Sequence, residues 1–507
     1  MGRADPFTGY SFVLRTIVYV VVPLFTAFQF VRLRRALHVF QLEAYKRPNF
    51  RRWLGSNRDK TLFLKPSTAK KPLVMTGRAW RILVVATALS LFGVLLPSAA
   101  AHLLLGGAPA DLITWALVTL ALFFWAPLLI PAADWALTPV QDAVNRSYLR
   151  RAQRVLRTVA PVVVGITGSY GKTSTKFAVG TLLGPDALVT PGSFNTTMGV
   201  VRAINEHLEA RHRYFVVEMG ARQRGDIAEI GRLVGHRIAV LTAIGTAHLE
   251  SFGSRDAIKQ AKLEIVGTLA PGGIAVVNSD DATIRGLGAE LEGVEVVRYG
   301  LDPAGDPDVT AEDVEVTRAG TSMTIVDRRS GESLQASTRL LGRHSIGHVL
   351  AGVAVARATE QDLASLGPRI AALTPVEHRL QLIEAPGGVT VLDDAFNSNP
   401  EGAAAALEVL QSMPARTKIV VTPGIVELGE LQATANEEFA RRAAGVADVL
   451  ILVARVNRAA LVAGAEGGRA RVLTTASLDE ATKELAGIVA AGDVVLFEND
   501  LPDQYEG

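Results

Sequence analysis

Two kinds of hydrophobic pattern divide the chain. Before residue 140, apolar residues run almost unbroken through Phe12–Val31, Ile82–Leu105 and Leu112–Ala133. A bilayer span needs about 20 residues at ~1.5 Å rise each, so each run is long enough to be a transmembrane helix. Arg15 is the one charge in the first run, and the other two carry none. Pro23, Pro97, Pro127 and Pro131 are tolerable in membrane helices. From Pro161 onward, short β-branched runs alternate with helical periodicity. Val162–Ile166, Tyr214–Val217, Ile238–Thr242 and Ile274–Val277 predict buried strands of an open, mostly parallel sheet. After an Ala/Val-rich helix over Leu341–Ala356, strands at Val389–Leu392, Ile419–Thr422, Val449–Val453 and Val494–Phe497 predict a second α/β unit.

Charge orients the first part. Residues 32–81 hold 14 Lys/Arg against Glu43 and Asp59, while Gly106–Asp111 holds no basic residue. Basic loops stay on the cytoplasmic side. The expected topology is therefore an outside N-terminus, a basic inside loop over 32–81, and everything after about residue 140 inside. That makes a multi-pass protein of the cell membrane with its α/β part in the cytoplasm. The basic loop could also touch anionic lipid headgroups.

The whole chain of 507 residues is long enough for two to four domains. Lys+Arg number 52 and Asp+Glu 50, a balance that speaks against a nucleic-acid partner. Cysteine is absent, which excludes disulfides, zinc ribbons, iron–sulfur ligation and thiol nucleophiles.

In open parallel sheets, ligands sit at the carboxyl ends of strands. Thr167-Gly168-Ser169-Tyr170-Gly171-Lys172-Thr173-Ser174-Thr175 follows the first strand. The glycines let backbone N–H groups face a phosphate, and the helix start adds its dipole. Lys172 would reach the β/γ-phosphates and the Thr173 hydroxyl would hold Mg²⁺. The spacing departs from the usual phosphate loop, since Ile166 stands five before Gly171. Glu218 ends the next strand, as a Mg²⁺ ligand, an orienter of water or a solvated surface acid. His248 follows the third, in Thr242-Ala243-Ile244-Gly245-Thr246-Ala247-His248. Lys262 lies on a helix with Ile258 and Ile265 on one face, where periodicity alone makes it solvated surface. Asp393-Asp394-Ala395-Phe396-Asn397-Ser398-Asn399-Pro400 ends a strand of the second unit. It suits ribose and base edges, or equally a turn into a helix capped before Pro400.

The order of these motifs carries more than any one of them. The phosphate loop is followed by Ser193-Phe194-Asn195-Thr196-Thr197-Met198-Gly199-Val200, Glu218-Met219-Gly220-Ala221, Ala247-His248-Leu249-Glu250 and Ala261-Lys262-Leu263-Glu264-Ile265. Gly342-Arg343-His344, His378-Arg379, the Asp393–Pro400 stretch and Glu427-Leu428-Gly429 complete the series. Over residues 158–507 it resembles the Mur ligase family. Gly225-Asp226-Ile227 and Asn397-Ser398-Asn399-Pro400 are similar to the branch that adds D-alanyl-D-alanine to UDP-N-acetylmuramoyl-tripeptide.

The resemblance implies a P-loop-type central domain over 158–374 and a Rossmann-like C-terminal domain over 375–507, behind a helical membrane region over 1–157. It implies an ATP-dependent ligase of cell-wall synthesis that forms an acyl phosphate from a precursor carboxylate, which an amine then captures. Gly168, Ser169, Tyr170, Gly171, Lys172, Thr173 and Ser174 would bind phosphates. Thr173 and Glu218 would serve one Mg²⁺, with His248 and Lys262 beside a second. Lys262 matches the lysine that the family carbamylates with CO₂, giving an anion able to ligate metal. Lys172, His248 and Lys262 would form the catalytic set. Asn278, Arg379, Asp394 and Asn397 match nucleotide contacts. Soluble members begin with a domain that grips UDP, whereas residues 1–157 hold membrane spans instead. The acceptor is then UDP-linked or lipid-linked. The family's asparagines after Gly-Arg-His are here Ser345 and His348. The acidic tail Phe497-Glu498-Asn499-Asp500 has no role by resemblance. Two other readings stay open: a polyglutamate-type ligase on folate or an envelope polymer, and a membrane-anchored nucleotide-binding scaffold without turnover.

Overall fold

The computed structural model describes residues 22–56, 72–105 and 124–500 apart from Ala44, His248, Asn397 and Ala454, together with Thr114, Leu117, Val118, Leu120 and Ala121. The chain divides into two compact units, Met1–Ser147 and Tyr148–Gly507. The division falls within the helix Thr138–Val159, ahead of the expected boundary at 157.

In the first unit the described elements are helices. Val22–Leu42 runs straight through the end of the expected span Phe12–Val31 and on into the expected basic loop. Charge had marked that segment as a loop, but Leu33, Leu37 and Phe40 repeat at helical spacing and are fully buried. A further helix, Arg47–Ser56, also lies in the expected loop. The expected span Ile82–Leu105 lies within a helix Gly77–Leu105 that carries Pro97 inside it. Of it, Gly77–Pro97 is long and apolar enough to cross a membrane, with a mean hydropathy of 2.1. The expected span Leu112–Ala133 falls largely outside the described residues. Where described, it is broken by a 3₁₀ turn at Ala126–Leu128, with Pro127 in its first positions, before the helix Leu129–Ala136. Asp134, almost fully buried, holds Arg47 at 2.9 Å and Arg78 at 2.8 Å. Burying that carboxylate requires such partners.

The second unit contains two sheets. The first has strands β1 (Val162–Thr167), β2 (Ala187–Val189), β3 (Tyr214–Glu218), β4 (Ile238–Leu241), β5 (Ile274–Asn278), β6 (Glu295–Tyr299), β7 (Val309–Thr317), β8 (Gly320–Asp327) and β9 (Glu332–Thr338). Their order is β2-β3-β1-β4-β5-β6-β7-β8-β9, parallel through β7 and then antiparallel. Successive side chains point to opposite faces. Val164, Ile166, Val216, Val240 and Val276 pack with the helices Lys172–Leu183 and Arg343–Ala358. Val163, Phe215, Val217, Leu241 and Val277 pack with Thr197–His207, Asp226–Val234 and Arg255–Gly267. Burial on both faces is why these strands are near-continuous β-branched runs.

The second sheet has β10 (Gln381–Ala385), β11 (Val389–Asp394), β12 (Lys418–Thr422), β13 (Val449–Leu452), β14 (Arg471–Thr474) and β15 (Val494–Glu498), in the order β10-β11-β15-β12-β13-β14. Only β10 is antiparallel to its neighbour. The result is the α/β architecture expected from the sequence, with mostly parallel sheets in two domains.

Candidate active site

The site is built on strand ends that register side by side. Ile166 of β1 pairs with Glu218 of β3, and Thr167 pairs with Leu241 of β4. The loops after these strands therefore open at one level.

After β1 the chain turns through Gly168 at φ 155° and Gly171 at φ 78°, both in the left-handed region that favours glycine. A Cβ on Gly168 would meet Thr242 Oγ1 at 2.0 Å, and one on Gly171 would meet His348 Cε1 at 3.1 Å. The loop is clamped by the segment after β4. Thr242 Oγ1 donates to Tyr170 O at 2.6 Å, Ser169 N donates to Ala243 O at 2.8 Å, and Gly245 N donates to Ser169 Oγ at 3.0 Å. Glycines at these φ values, with no room for a Cβ at Gly168 and little at Gly171, leave a backbone cradle opening on the N-terminus of the helix Lys172–Leu183. That cradle fits a nucleotide phosphate.

Lys172 folds back onto this loop, donating to Gly168 O at 2.8 Å and Ser169 O at 3.2 Å. Burial lowers its pKa, Glu218 opposes that, and Arg379 adds to it. Thr173 Oγ1 donates to Glu218 Oε2 at 3.0 Å. The same oxygen takes Lys176 Nζ at 3.1 Å, in an ion pair with no exposed lysine side chain. Asn195 Nδ2 donates to Glu218 Oε1 at 3.1 Å. Burial pushes the Glu218 pKa up, but Lys176, Lys172 and the Asn195 hydrogen bond together bring it below the usual value. Thr173 and Glu218 offer hard oxygen donors beside the cradle, which fits Mg²⁺ held through one carboxylate, one hydroxyl and phosphates. Among the described residues, no group of three or more His, Cys, Asp or Glu side chains could hold a metal by itself.

Lys262 lies on the helix Arg255–Gly267, which Ser254 caps by accepting from Ala257 N at 3.1 Å. It is 2% exposed, so the solvated placement suggested by periodicity is corrected here. Burial, with Lys172 as a second cause, lowers its pKa to about 7. Asn278 ends β5 and donates to Thr242 O at 2.9 Å while accepting from Asp280 N at 3.0 Å. One end of its amide thus braces the loop after β4 and the other the turn after β5.

The second sheet faces this cluster with Arg379, whose guanidinium lies 4.6 Å from the centre of the Phe396 ring. Burial lowers the Arg379 pKa, against the pull of Asp394 and Glu218. Asp394 ends β11 and accepts from Leu380 N at 3.0 Å. Burial raises its pKa to about 6. Asn399 caps the helix Pro400–Ser412, accepting from Gly402 N at 2.9 Å. The Asp393–Pro400 stretch thus contains the helix cap that was one of its two readings. His248 and Asn397 lie outside the described residues.

The structure brings Lys172, Thr173, Glu218, Lys262, Arg379 and Asp394 into one neighbourhood. Sequence reasoning missed Lys176, because a lysine one turn into a helix carries no sign of burial. Asn195 stood in a quoted motif without a role. Glu498, fully buried, also gains a setting. Ser398 Oγ donates to it in a short contact and Thr422 Oγ1 donates to it at 3.0 Å. Burial raises its pKa to about 8. Asn499, at φ 66°, donates to Gly424 O at 2.6 Å and accepts from Ser398 N at 3.0 Å. The tail therefore ties the loops after β11 and β12 together.

Comparison with known proteins follows the same plan. Residues 166–356 match the Mur ligase middle domain, and 378–498 match the Mur ligase, glutamate ligase domain. The UDP-N-acetylmuramoyl-tripeptide–D-alanyl-D-alanine ligase of Mycobacterium tuberculosis is 33% identical over 356 residues, covering 66% of this chain and 66% of that protein. Its counterpart from Mycobacterium leprae is 30% identical over 374 residues, covering 66% of this chain and 70% of that protein. The chain spans about two thirds of the length of these relatives. The MurF ligase of Thermotoga maritima in complex with ADP superposes with a TM-score of 0.62 at 27% identity, covering 71% of this chain and 81% of that one. With both domains in sequence order and relatives of this closeness, the chain belongs to the Mur ligase family.

Proposed function

We propose that this chain is an ATP-dependent ligase that joins a cell-wall precursor carboxylate to an amine, with D-alanyl-D-alanine as the amine. The observation that carries this reading is the meeting of Thr173 and Glu218 beside the glycine cradle, with Arg379 facing them from the second sheet. The names of the relatives supply the amine and the class of acceptor.

A carboxylate resists attack by an amine until one oxygen becomes a good leaving group. The acceptor carboxylate attacks the γ-phosphate of ATP, ADP departs, and an acyl phosphate forms. The amine then attacks the acyl carbon, the amide bond forms and phosphate leaves. Positioning and charge neutralisation do most of this work. The backbone N–H groups of Gly168–Thr173 cradle the phosphates. Lys172 exchanges its loop carbonyls for phosphate oxygens. Arg379 brings a second cation from the other sheet, so the site is complete only when both lobes meet. Thr173 and Glu218 would hold Mg²⁺, whose charge would neutralise that of the phosphates. Lys262, with a pKa near 7, has neutral amine available to add to CO₂. The neutral amine forms a new N–C bond to CO₂ as one C–O π bond opens, one proton leaves the nitrogen, and the amine becomes a carbamate anion.

The anchor belongs to the same proposal. On the helix Gly77–Leu105, Val84, Phe92, Leu95, Leu96, Leu103 and Leu104 are exposed. Exposed apolar residues over that length suit lipid as their surroundings. An enzyme held at the membrane would meet a lipid-linked acceptor at raised local concentration. Membranes carrying the protein, supplied with ATP and D-alanyl-D-alanine, test both parts by product mass spectrometry. Mass gain in a precursor pool is expected, and the pool that gains it, UDP-linked or lipid-linked, identifies the acceptor. No gain in either pool refutes the ligase reading.

A further inference from the structure

Lys176 is unassigned by motif or resemblance, yet its ammonium pairs with an oxygen of the proposed metal carboxylate. It sits one turn after Lys172, and its side chain has no exposed surface. Nζ donates to Gly192 O at 2.5 Å and pairs with Glu218 Oε2 at 3.1 Å. The Phe177 ring lies 4.8 Å from it. Thr173 occupies the same Oε2 and Asn195 occupies Oε1. Every oxygen of Glu218 is therefore engaged by the protein itself, and its charge is already matched by a fixed cation.

We propose that Lys176 makes the Glu218 site selective for a metal–nucleotide complex over a free divalent cation. The inference rests on the ligase reading above. A buried carboxylate with no counter-ion attracts a divalent cation strongly, because Coulomb energy grows as the local dielectric falls. Lys176 cancels that attraction. Among the described residues, no cluster of three or more His, Cys, Asp or Glu side chains restores that attraction. The missing negative charge arrives with the phosphates, so metal and nucleotide bind together. Lys176 is thus a positioning residue: it touches neither substrate nor metal and acts through Glu218. It also ties the phosphate-loop helix to Gly192, beside the Ser193–Val200 motif.

Mn²⁺ binding followed by electron paramagnetic resonance tests this on the full-length protein. The unsubstituted protein should hold Mn²⁺ at least tenfold more tightly with ADP than without it. Lys176→Met should bind Mn²⁺ alone at least tenfold more tightly than the unsubstituted protein, and Lys176→Met/Glu218→Gln should lose that gain. Lys176→Gln keeps a donor for Gly192 O and serves if the methionine variant does not fold. Equal Mn²⁺ affinity with and without ADP in the unsubstituted protein overturns the inference, whatever the variants do. A gain that persists in the double variant, or no gain in either single variant, also overturns it. Failure to bind ADP at any Mn²⁺ concentration overturns the ligase reading and this inference with it, which separates the two failures.

Discussion

Thr175 Oγ1 and His348 Nδ1 stand 2.9 Å apart, joining the helix behind the phosphate loop to the helix that begins at Arg343. Burial, with His344 and Arg379 adding to it, lowers the His348 pKa to about 3, and burial lowers that of His344 to about 4. Both rings are neutral in the fold. The unfolded chain protonates both rings as pH falls below the ordinary histidine value of 6.5, while the folded chain does not. Stability is therefore expected to be full above 6.5 and to fall between 6.5 and about 3, the lower of the two folded-state values. Denaturant midpoints at pH 5 and pH 7.5 measure it, and His348→Gln should reduce the difference.

The loop glycines are expected to be irreplaceable for steric reasons. In Gly168→Ala the new methyl would meet Thr242 Oγ1 at 2.0 Å and Ala243 N at 2.9 Å. The left-handed backbone there adds strain of about 1–3 kcal/mol. Thermal melting should show that loss, and calorimetry should show ADP binding weakened by at least tenfold. A variant that binds ADP normally would refute the cradle.

Lys262→Ala is expected to lower ligase turnover by roughly 10²–10³-fold, the scale seen when one charge-stabilising group is removed. Short carboxylates should restore part of the rate. With ¹³C-labelled CO₂, the unsubstituted protein should give a carbamate resonance that Lys262→Ala lacks. Unchanged turnover in the variant would refute the carbamate.

Removing one member of the Lys176–Glu218 pair should cost more than removing both. Lys176→Met leaves a buried carboxylate without its counter-ion, a loss of about 3–5 kcal/mol for such pairs. Lys176→Met/Glu218→Gln should recover most of it. Urea unfolding of the two variants measures the difference, and equal losses would show that the pair is not coupled.

Because the chain contains no cysteine, single cysteines can map its topology without background. Arg52→Cys should be shielded from an impermeant thiol reagent in intact cells, and Ala108→Cys should react. The opposite pattern would invert the proposed orientation. The protein should also stay with membranes through an alkaline carbonate wash.

The strand ends were legible in the sequence because buried parallel strands are short β-branched runs, each with a polar residue at its end. Val162, Tyr214, Ile238 and Ile274 start strands where periodicity puts them. The antiparallel extension β7–β9 was not read. In Val309–Thr317 three buried residues are followed by the exposed Glu312, Asp313 and Glu315, and Gly320–Asp327 alternates buried with more open positions, so neither gives a continuous apolar run. Lys176 and Lys262 were beyond periodicity for a different reason. Whether a lysine is solvated or buried depends on what packs over it, and that is set by distant segments such as Gly192 and Glu218. The helix Val22–Leu42 was hidden by Arg32, Arg34 and Arg35, although Leu33, Leu37 and Phe40 carried its pattern.

The pairing of Ile166 with Glu218, and of Thr167 with Leu241, acts as the ruler that sets how far each loop projects. A strand that slid by one position would turn Glu218 to the opposite face of the sheet. A substitution deep in the hydrophobic layers could thus abolish the proposed activity while every side chain assigned to it remained in the chain. In this architecture, alignment between neighbouring strands is as much a part of the chemistry as the residues at their tips.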